Sequence, residues 1–371
     1  MNSRNLFGTV VCGILVWAIT SAAALGQDAP VDYGLVPGNG EDSPPSFSQT
    51  MADPSQGGGG FDGGGCPPCC CPRWTASADC LILDRIGGAN QTLVERVPLF
   101  VPPSTPGNEA LNSNGMPQGF CAGPRLGLIR HGDGGCDLEL SYFQIDGWSN
   151  DTTVEPYNHW LVMRAPGFLQ TNQGFTQAMA WDYATRLYNV ELNARWNLDC
   201  PVTLLAGFRW VDLRENLVGA LQPPTFSWEP PFWNGTTINN LYGFQIGADG
   251  KLLDLGRFSI GGLVKAGVFD NNAEAITAVS VIHKQVRTAS DSTNQAAFVG
   301  ETGLQCKYQL TQGLALRAGY EVIWLQGVAL APGQVQETLV TTSPKSVQAL
   351  GVNCSSGLFY HGATVGLEYS F

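Results

Sequence analysis

The sequence predicts an all-β fold, a closed antiparallel transmembrane β-barrel, from three observations. Apolar and polar side chains alternate over stretches of about ten residues, the length of a tilted membrane-crossing strand. Connections alternate between short and long. The chain ends on a strand of its own whose last residue is aromatic.

The cleanest alternation occupies residues 188–197, where Tyr188, Val190, Leu192, Ala194 and Trp196 interleave with Asn189, Glu191, Asn193, Arg195 and Asn197. A strand sends successive side chains to opposite faces, so this ribbon separates an apolar from a polar medium; helical spacing would scatter the same residues around an axis. The pattern returns in Leu314, Leu316, Ala318, Tyr320, Val322 and Trp324 against Arg317, Gly319 and Glu321. It returns again in Tyr242, Phe244, Ile246 and Ala248 against Gln245, Gly247, Asp249 and Lys251. Residues 204–210 and 258–268 repeat it with small defects, and 74–85, 120–130, 136–148 and 296–309 also read as strands. We expect roughly 12 strands, give or take about two. Residues 197–202 and 309–314 are short connections, whereas those after Arg85, Trp148, Asn216 and Gly327 are long, the arrangement of short turns on one rim and loops on the other that outer-membrane barrels use.

A secreted, soluble β-sandwich also alternates, because each of its strands has one face on the core and one in water. Strand length argues for the membrane instead, since soluble strands run to about five or six residues. So does the placing of aromatic residues: Tyr188 and Trp196 bracket one strand, Tyr320 and Trp324 close another, and Trp181, Trp210, Tyr369 and Phe371 lie near other strand ends. Such rings suit a headgroup boundary. The final strand turns Ala363, Val365, Leu367, Tyr369 and Phe371 one way, and Thr364, Gly366, Tyr369 and Phe371 resemble the C-terminal insertion signal of outer-membrane proteins. A sheet in a bilayer satisfies its backbone only by joining first strand to last, so residues 74–85 should pair with 358–371.

Charged residues make up 13 % of the chain, against about 25 % in soluble domains, so little of its surface is meant for bulk water. The net charge of −12 argues against nucleic acid as a partner. At the N-terminus, Arg4, an apolar stretch over 6–19 and small residues over 20–26 form a secretory signal peptide, residues 1–26, with cleavage before Gln27. Residues 27–73 are a Gly/Pro/Cys-rich flexible segment, too poor in apolar residues to offset chain entropy, and residues 74–371 are the barrel. The expected location is the cell outer membrane. Its lipid and the barrel-assembly machinery are the expected partners, together with envelope proteins or further copies of the chain.

Four cysteines fall in CPPCCCP, at Cys66, Cys69, Cys70 and Cys71. In an oxidising compartment they are candidate disulfide cysteines; a zinc site would need a second ligand pair at metal-binding spacing, which does not follow. Cys80, Cys121, Cys136, Cys200, Cys306 and Cys354 could pair at strand ends. Glu191, Arg195, Arg209, Asp249, Lys265, Glu301, Arg317 and Glu321 fall on the lumen side by parity. In an open barrel they would set ion preference, and in a narrow one they would pair and fill the interior. The residues expected at the aromatic girdle are Tyr188, Trp196, Trp210 and Trp324 with Tyr369 and Phe371. His131, His159, His283 and His361 show no metal-binding spacing, and no nucleophile elbow, phosphate loop or dinucleotide fingerprint occurs. No catalytic residue, metal or cofactor is therefore expected.

Six blocks carry a family resemblance: WTASADCLILDR from Trp74, GFRWVDLREN from Gly207, NNLYGFQIGADGKL from Asn239, KAGVFDNNAEA from Lys265, FVGETGL from Phe298 and LRAGYEVIWLQGVALAP from Leu316. The chain resembles beta-barrel porin family seven, known mainly from planctomycete-type bacteria, over most of residues 74–371; the Cys in the first block departs from the apolar residue expected there. The resemblance implies an outer-membrane barrel without a defined substrate. Two functions follow from these readings: a porin for passive diffusion of small solutes, or a structural or surface-display barrel with a filled lumen that binds envelope partners.

Overall fold

The computed structural model describes residues 72–132, 134–163, 174–198, 201–222, 232–281, 285–342 and 345–371. The expected signal peptide, nearly all of the Gly/Pro/Cys-rich segment, the CPPCCCP cysteines and Cys200 lie outside the described residues.

Ten strands form a closed antiparallel barrel. Among the described residues the strands are, in chain order, β1 (Trp74–Gly87), β2 (Thr92–Pro98), β3 (Asn108–Asn112), β4 (Phe120–Arg130), β5 (Cys136–Val154), β6 (His159–Met163), β7 (Ala178–Asn197), β8 (Val202–Gln222), β9 (Trp233–Asp254), β10 (Phe258–Val281), β11 (Gln285–Gln309), β12 (Leu314–Val328), β13 (Thr338–Thr342), β14 (Lys345–Ala349) and β15 (Ser356–Ser370). The wall runs β1-β15-β12-β11-β10-β9-β8-β7-β5-β4 and back to β1. Closure pairs β1 with β15 from Thr75↔Ser370 to Gly87↔Leu358, as backbone satisfaction in a bilayer requires.

The count is ten where about twelve were expected. The difference lies in strand length. β5, β7, β8, β9, β10 and β11 are 19 to 25 residues long, while β1, β4, β12 and β15 have only 11 to 15. The wall is thus tall on one side and low on the other. At roughly 3.3 Å per residue and about 40° of tilt, the 22 residues of β9 rise on the order of 55 Å, about twice a membrane's apolar band.

Polarity along the tall strands inverts where they leave that band. In the lower part of β7, Leu192 and Trp196 are exposed outside while Asn189, Glu191 and Asn193 are buried inside; in the upper part Asp182 and Arg186 face out while Trp181, Tyr183 and Leu187 face in. β10 repeats this, with Val264 and Val268 exposed below, Asn272 exposed above, and Ala273 and Val279 buried above. The lower wall is built for oil outside and polar groups inside, the upper wall for water outside and a core within. Trp181, expected near a headgroup boundary, is therefore inside, 1 % exposed and edge-on to Phe232.

The concave side of the tall wall holds a cap. A three-stranded sheet, β3-β2-β6, and the β13-β14 hairpin supply Leu93, Val94, Leu161, Met163 and Val340, which pack on Trp181, Trp233 and Val279 of the wall. The cap rises from the long-loop rim; the opposite rim carries the tight β4–β5, β7–β8, β9–β10 and β11–β12 turns.

Candidate functional site: the lumen and its mouth

The inward residues form four successive layers. Nearest the tight turns is a cavity of about 780 Å³, lined by Ser77, Glu139, Arg195, Asp249, Lys307 and Glu368 among others. Its ion pairs lie at the walls: Arg195 with Glu139 at 3.1 Å and with Asp249 at 2.5 Å, Lys307 with Glu368 at 2.8 Å, and Arg317 with Glu368 at 3.4 Å and Asp79 at 3.6 Å.

Above the cavity lies a charged layer. Lys265 Nζ donates to Glu191 at 2.9 Å and to Glu301 at 3.4 Å, and Arg209 Nη1 donates to Glu301 at 2.9 Å. Asn189, Asn193 and Gln245 donate side-chain amides to Glu191 at 3.1, 3.2 and 2.8 Å, and Arg125 grips Glu321 through two bonds of 2.6 Å. Three acidic side chains, Glu191, Glu301 and Glu321, thus face three basic ones, Lys265, Arg209 and Arg125. Burying unpaired charge is costly, and here each charge has a partner and added hydrogen bonds. Glu191, Glu301 and Arg209 are no more than 2 % exposed.

An apolar layer follows. Leu81, Leu83, Phe143, Ile145, Trp148, Leu187, Val211, Leu213, Leu241, Phe269, Val299, Ile323, Leu325, Leu358 and Tyr360 form one buried cluster to which every strand of the wall contributes, β4 through Cys121. Trp148 and Tyr360 pack with ring centroids 5.1 Å apart and planes tilted by 37°, and the Trp148 indole N–H donates to the Leu83 carbonyl at 3.1 Å.

The mouth is closed by the chain itself. β12 leaves the wall at a bulge between Gln326 and Val328, where Gly327 has φ +84°, a conformation that suits glycine, and a Cβ would fall 2.7 Å from the Ala296 carbonyl oxygen. The strand then runs inward, so that Val328 to Val335 are all buried. Polar side chains of the wall catch this backbone. Asn239 of β9 accepts from the Ala329 N–H at 2.7 Å and donates to the Ala329 carbonyl at 2.8 Å. Asn271 of β10 donates to the Gly327 carbonyl at 3.0 Å, and Glu215 of β8 accepts from the Ala331 N–H at 2.9 Å while pairing with Arg85 at 2.5 Å and Tyr183 at 2.7 Å. The inward turn thereby exchanges wall ladder bonds for side-chain bonds.

All eight charged residues assigned to the lumen by parity lie inside. Glu191, Arg209, Lys265 and Glu301 share one network; Glu321, Arg195, Asp249 and Arg317 join separate pairs. Their partners Arg125, Glu139, Asp79 and Glu368 were not singled out, though each has the same inward parity. The mouth residues Asn239, Asn271 and Glu215 were missed as well; the Asn-Asn doublets 239–240 and 271–272, each with one residue inward and one outward, were the available signal. Tyr188, Trp210 and Trp324 sit outside toward the long-loop end of the apolar band, and Trp196, Tyr369 and Phe371 toward the tight-turn end. Thr364 and Gly366 face inward, and a Cβ at Gly366 would fall 2.2 Å from the Ala78 carbonyl oxygen. Cys121, Cys136, Cys306 and Cys354 are free thiols rather than pairs at strand ends, for they stand in the lumen, at the tight-turn rim, on the outer wall and in the mouth.

No family model matches the chain, and no curated protein does. The porin-family resemblance thus rests on its six sequence blocks. Solved structures do overlap it. The outer membrane protease OmpT from Escherichia coli is 10 % identical over 80 % of this chain and 96 % of that one, with a TM-score of 0.47. The translocator domain of the autotransporter NalP from Neisseria meningitidis is 10 % identical over 84 % and 91 %, with a TM-score of 0.36. The toluene transporter TodX from P. putida is 10 % identical over 82 % and 91 %, with a TM-score of 0.31. At such identities and overlaps none of them lends this chain a function.

Proposed function

We propose that the protein is an outer-membrane β-barrel with a sealed lumen, a membrane-anchored scaffold that holds its folded cap on the long-loop side. The observation that carries this reading is the apolar layer, in which side chains from all ten strands meet, backed by the paired charges beneath it. A diffusion pore needs a continuous water-filled path, and two buried layers across the lumen argue against one. Of the two functions drawn from the sequence, the filled-lumen barrel is the better supported; the closed barrel leaves the β-sandwich without support.

Membrane residence rests on the outer wall: the exposed apolar faces of the lower strands, the aromatic rows at both borders and the inversion of polarity above them. The reading assigns no catalytic residue and places recognition of envelope partners on the cap. Purified protein added to a planar bilayer should insert without step conductance. Reproducible channels at low voltage would restore the porin reading. Heat-modifiable migration on a denaturing gel, expected of a closed barrel, tests the architecture separately.

A further inference from the structure

Thiols gather at the tight-turn rim. β1 starts there, and Arg73, the residue before it, is tied in on both sides: it donates its N–H to the Phe371 carbonyl at 2.9 Å and accepts from the His131 N–H at 2.9 Å. His131 opens the β4–β5 turn. A Cβ at Gly132, the next residue, would fall 2.2 Å from the Cys136 carbonyl oxygen, so this turn folds back directly onto Cys136 at the start of β5. The Cys136 thiol is exposed and has no disulfide partner among the described residues. It faces outward, for its neighbour Asp137 is buried and pairs in register with the lumen residue Arg195. Cys69, Cys70 and Cys71 precede Arg73 by four, three and two residues, and Cys200 falls between β7 and β8 at the same rim.

We propose that Cys136 is joined by a disulfide to Cys70 or Cys71, a clasp that fastens the Gly/Pro/Cys-rich segment to the rim and bridges β1 to β5 across β4. Reach selects this pair. Arg73 lies opposite His131, and the turn carries the chain from His131 back onto Cys136, so the Cα atoms of Arg73 and Cys136 are within roughly 15 Å of each other. Two or three extended residues span about 7 to 10 Å, and a disulfide joins Cα atoms about 4.4–6.8 Å apart, which together close that distance. Cys70 and Cys71 do not readily pair with each other, because sequence neighbours stand only about 3.8 Å apart, below the disulfide range. Cys66 and Cys69 are spaced to pair between themselves. The remaining described cysteines stand apart: Cys121 is in the lumen, Cys354 in the mouth, Cys80 seven residues up β1 from Arg73, and Cys306 on β11, three strands from β1 where β5 is two. Forming the bond removes two protons and two electrons. Cys70 or Cys71 first forms a mixed disulfide with a disulfide oxidant of the envelope; the Cys136 thiolate then attacks it, and the oxidant leaves as its dithiol. The inference rests on the outer-membrane reading only for the source of that oxidant.

The test refolds the mature chain, from Gln27, in mild detergent with reduced and oxidised glutathione, which supplies the oxidant without the envelope. Remaining thiols are blocked with iodoacetamide, and the denatured protein is digested with trypsin without reduction. No Lys or Arg lies between Gln27 and Arg73 or between Arg130 and Arg164, so the four clustered cysteines fall in peptide 27–73 and Cys136 in peptide 131–164. Mass spectrometry should find these two peptides joined, and reduction should separate them. Cys136→Ser should abolish the linked species and stay heat-modifiable, because the thiol it removes is exposed on the rim. Cys66→Ser with Cys69→Ser should keep the link, and Cys70→Ser with Cys71→Ser should lose it. Peptide 131–164 recovered with a blocked thiol from the wild type would overturn the clasp. So would the same peptide joined to its own copy, or to 196–209, which carries Cys200. If instead the chain refolds as a soluble protein without detergent, it is the membrane reading that has failed, and the peptide map still decides the disulfide.

Discussion

The side chain of Asn239 and the backbone of Ala329 form a closed pair of hydrogen bonds, 2.7 Å from the Ala329 N–H to Oδ1 and 2.8 Å from Nδ2 to the Ala329 carbonyl. Both groups are fully buried. Asn239 presents to the in-folded chain the same donor and acceptor that a neighbouring strand would, and so lets the backbone leave the wall for the lumen. Asn239→Ala should strand both groups of Ala329 at a cost of about 2–4 kcal/mol. The effect should be local, a rise in protease cleavage within residues 328–335, while the heat-modifiable barrel persists. Unchanged cleavage would show that the apolar packing of the segment suffices to hold it.

How much of this arrangement was legible beforehand differs between the two halves of the wall. In β7 the lower alternation separates Tyr188, Val190 and Leu192 from Asn189 and Glu191, and the wall has one orientation throughout that stretch. Above Leu187 the period is still two but the polarity is exchanged, as the membrane reading requires where the outside medium changes from lipid to water. Alternation with an apolar outward face therefore stops short of the end of each tall strand, and Trp181, expected near a headgroup boundary, lies above it and faces in. The lumen charges could be assigned from parity alone, since Lys265 lies between Val264 and Ala266 and Glu321 between Tyr320 and Val322, outward apolar neighbours in each case. Their pairing could not, because Glu191 and Lys265 are 74 positions apart and meet only when the sheet curls shut. The inward segment was hidden for a different reason: the stretch after Gly327 reads as a long connection, and nothing in the apolar run from Val328 to Pro332 says that it turns into the lumen.

Gly300 and Trp324 face each other across β11 and β12 on the outer wall, with the indole lying over the glycine so closely that a Cβ would fall 2.1 Å from the ring. The ring covers backbone that glycine leaves bare. Gly300→Ala should push the indole off the wall, at about 1–3 kcal/mol for the overpacking. A shift in tryptophan emission and a lower temperature of barrel unfolding on gels would register it. Gly262→Ala, where the added carbon makes only ordinary contacts, should leave both unchanged.

In the cap, Glu109 of β3 accepts hydrogen bonds from the Thr92 hydroxyl and, at 3.0 Å, from the Asn112 amide. The Thr92 bond first and the Asn112 bond second hold its carboxyl below the usual glutamate range. A carboxylate depressed in the folded state contributes stability above its unfolded value and loses that contribution as the pH falls through the folded one. The β2–β3 pairing should therefore loosen only below the ordinary glutamate titration. Carbon-detected NMR titration of Glu109 should place its midpoint below that of a free glutamate, and Thr92→Val should move it upward. No change in Thr92→Val would assign the depression to Asn112.

Lys265 is the centre of the charged layer, holding Glu191 at 2.9 Å and Glu301 at 3.4 Å, and Arg209 is the other cation that pairs with both carboxylates among the described residues. Lys265→Met would leave two buried acids to share one guanidinium, and breaking a buried pair in this way costs about 3–5 kcal/mol. The loss should appear as a lower midpoint of heat-modifiability in detergent. Lys265→Met combined with Glu301→Gln removes one charge of each sign, leaves Arg209 facing Glu191, and should recover most of that loss. A double variant as unstable as the single one would mean that Lys265 matters for its packed stem rather than its charge. Neither variant should conduct in a planar bilayer, because the apolar layer above stays intact in both.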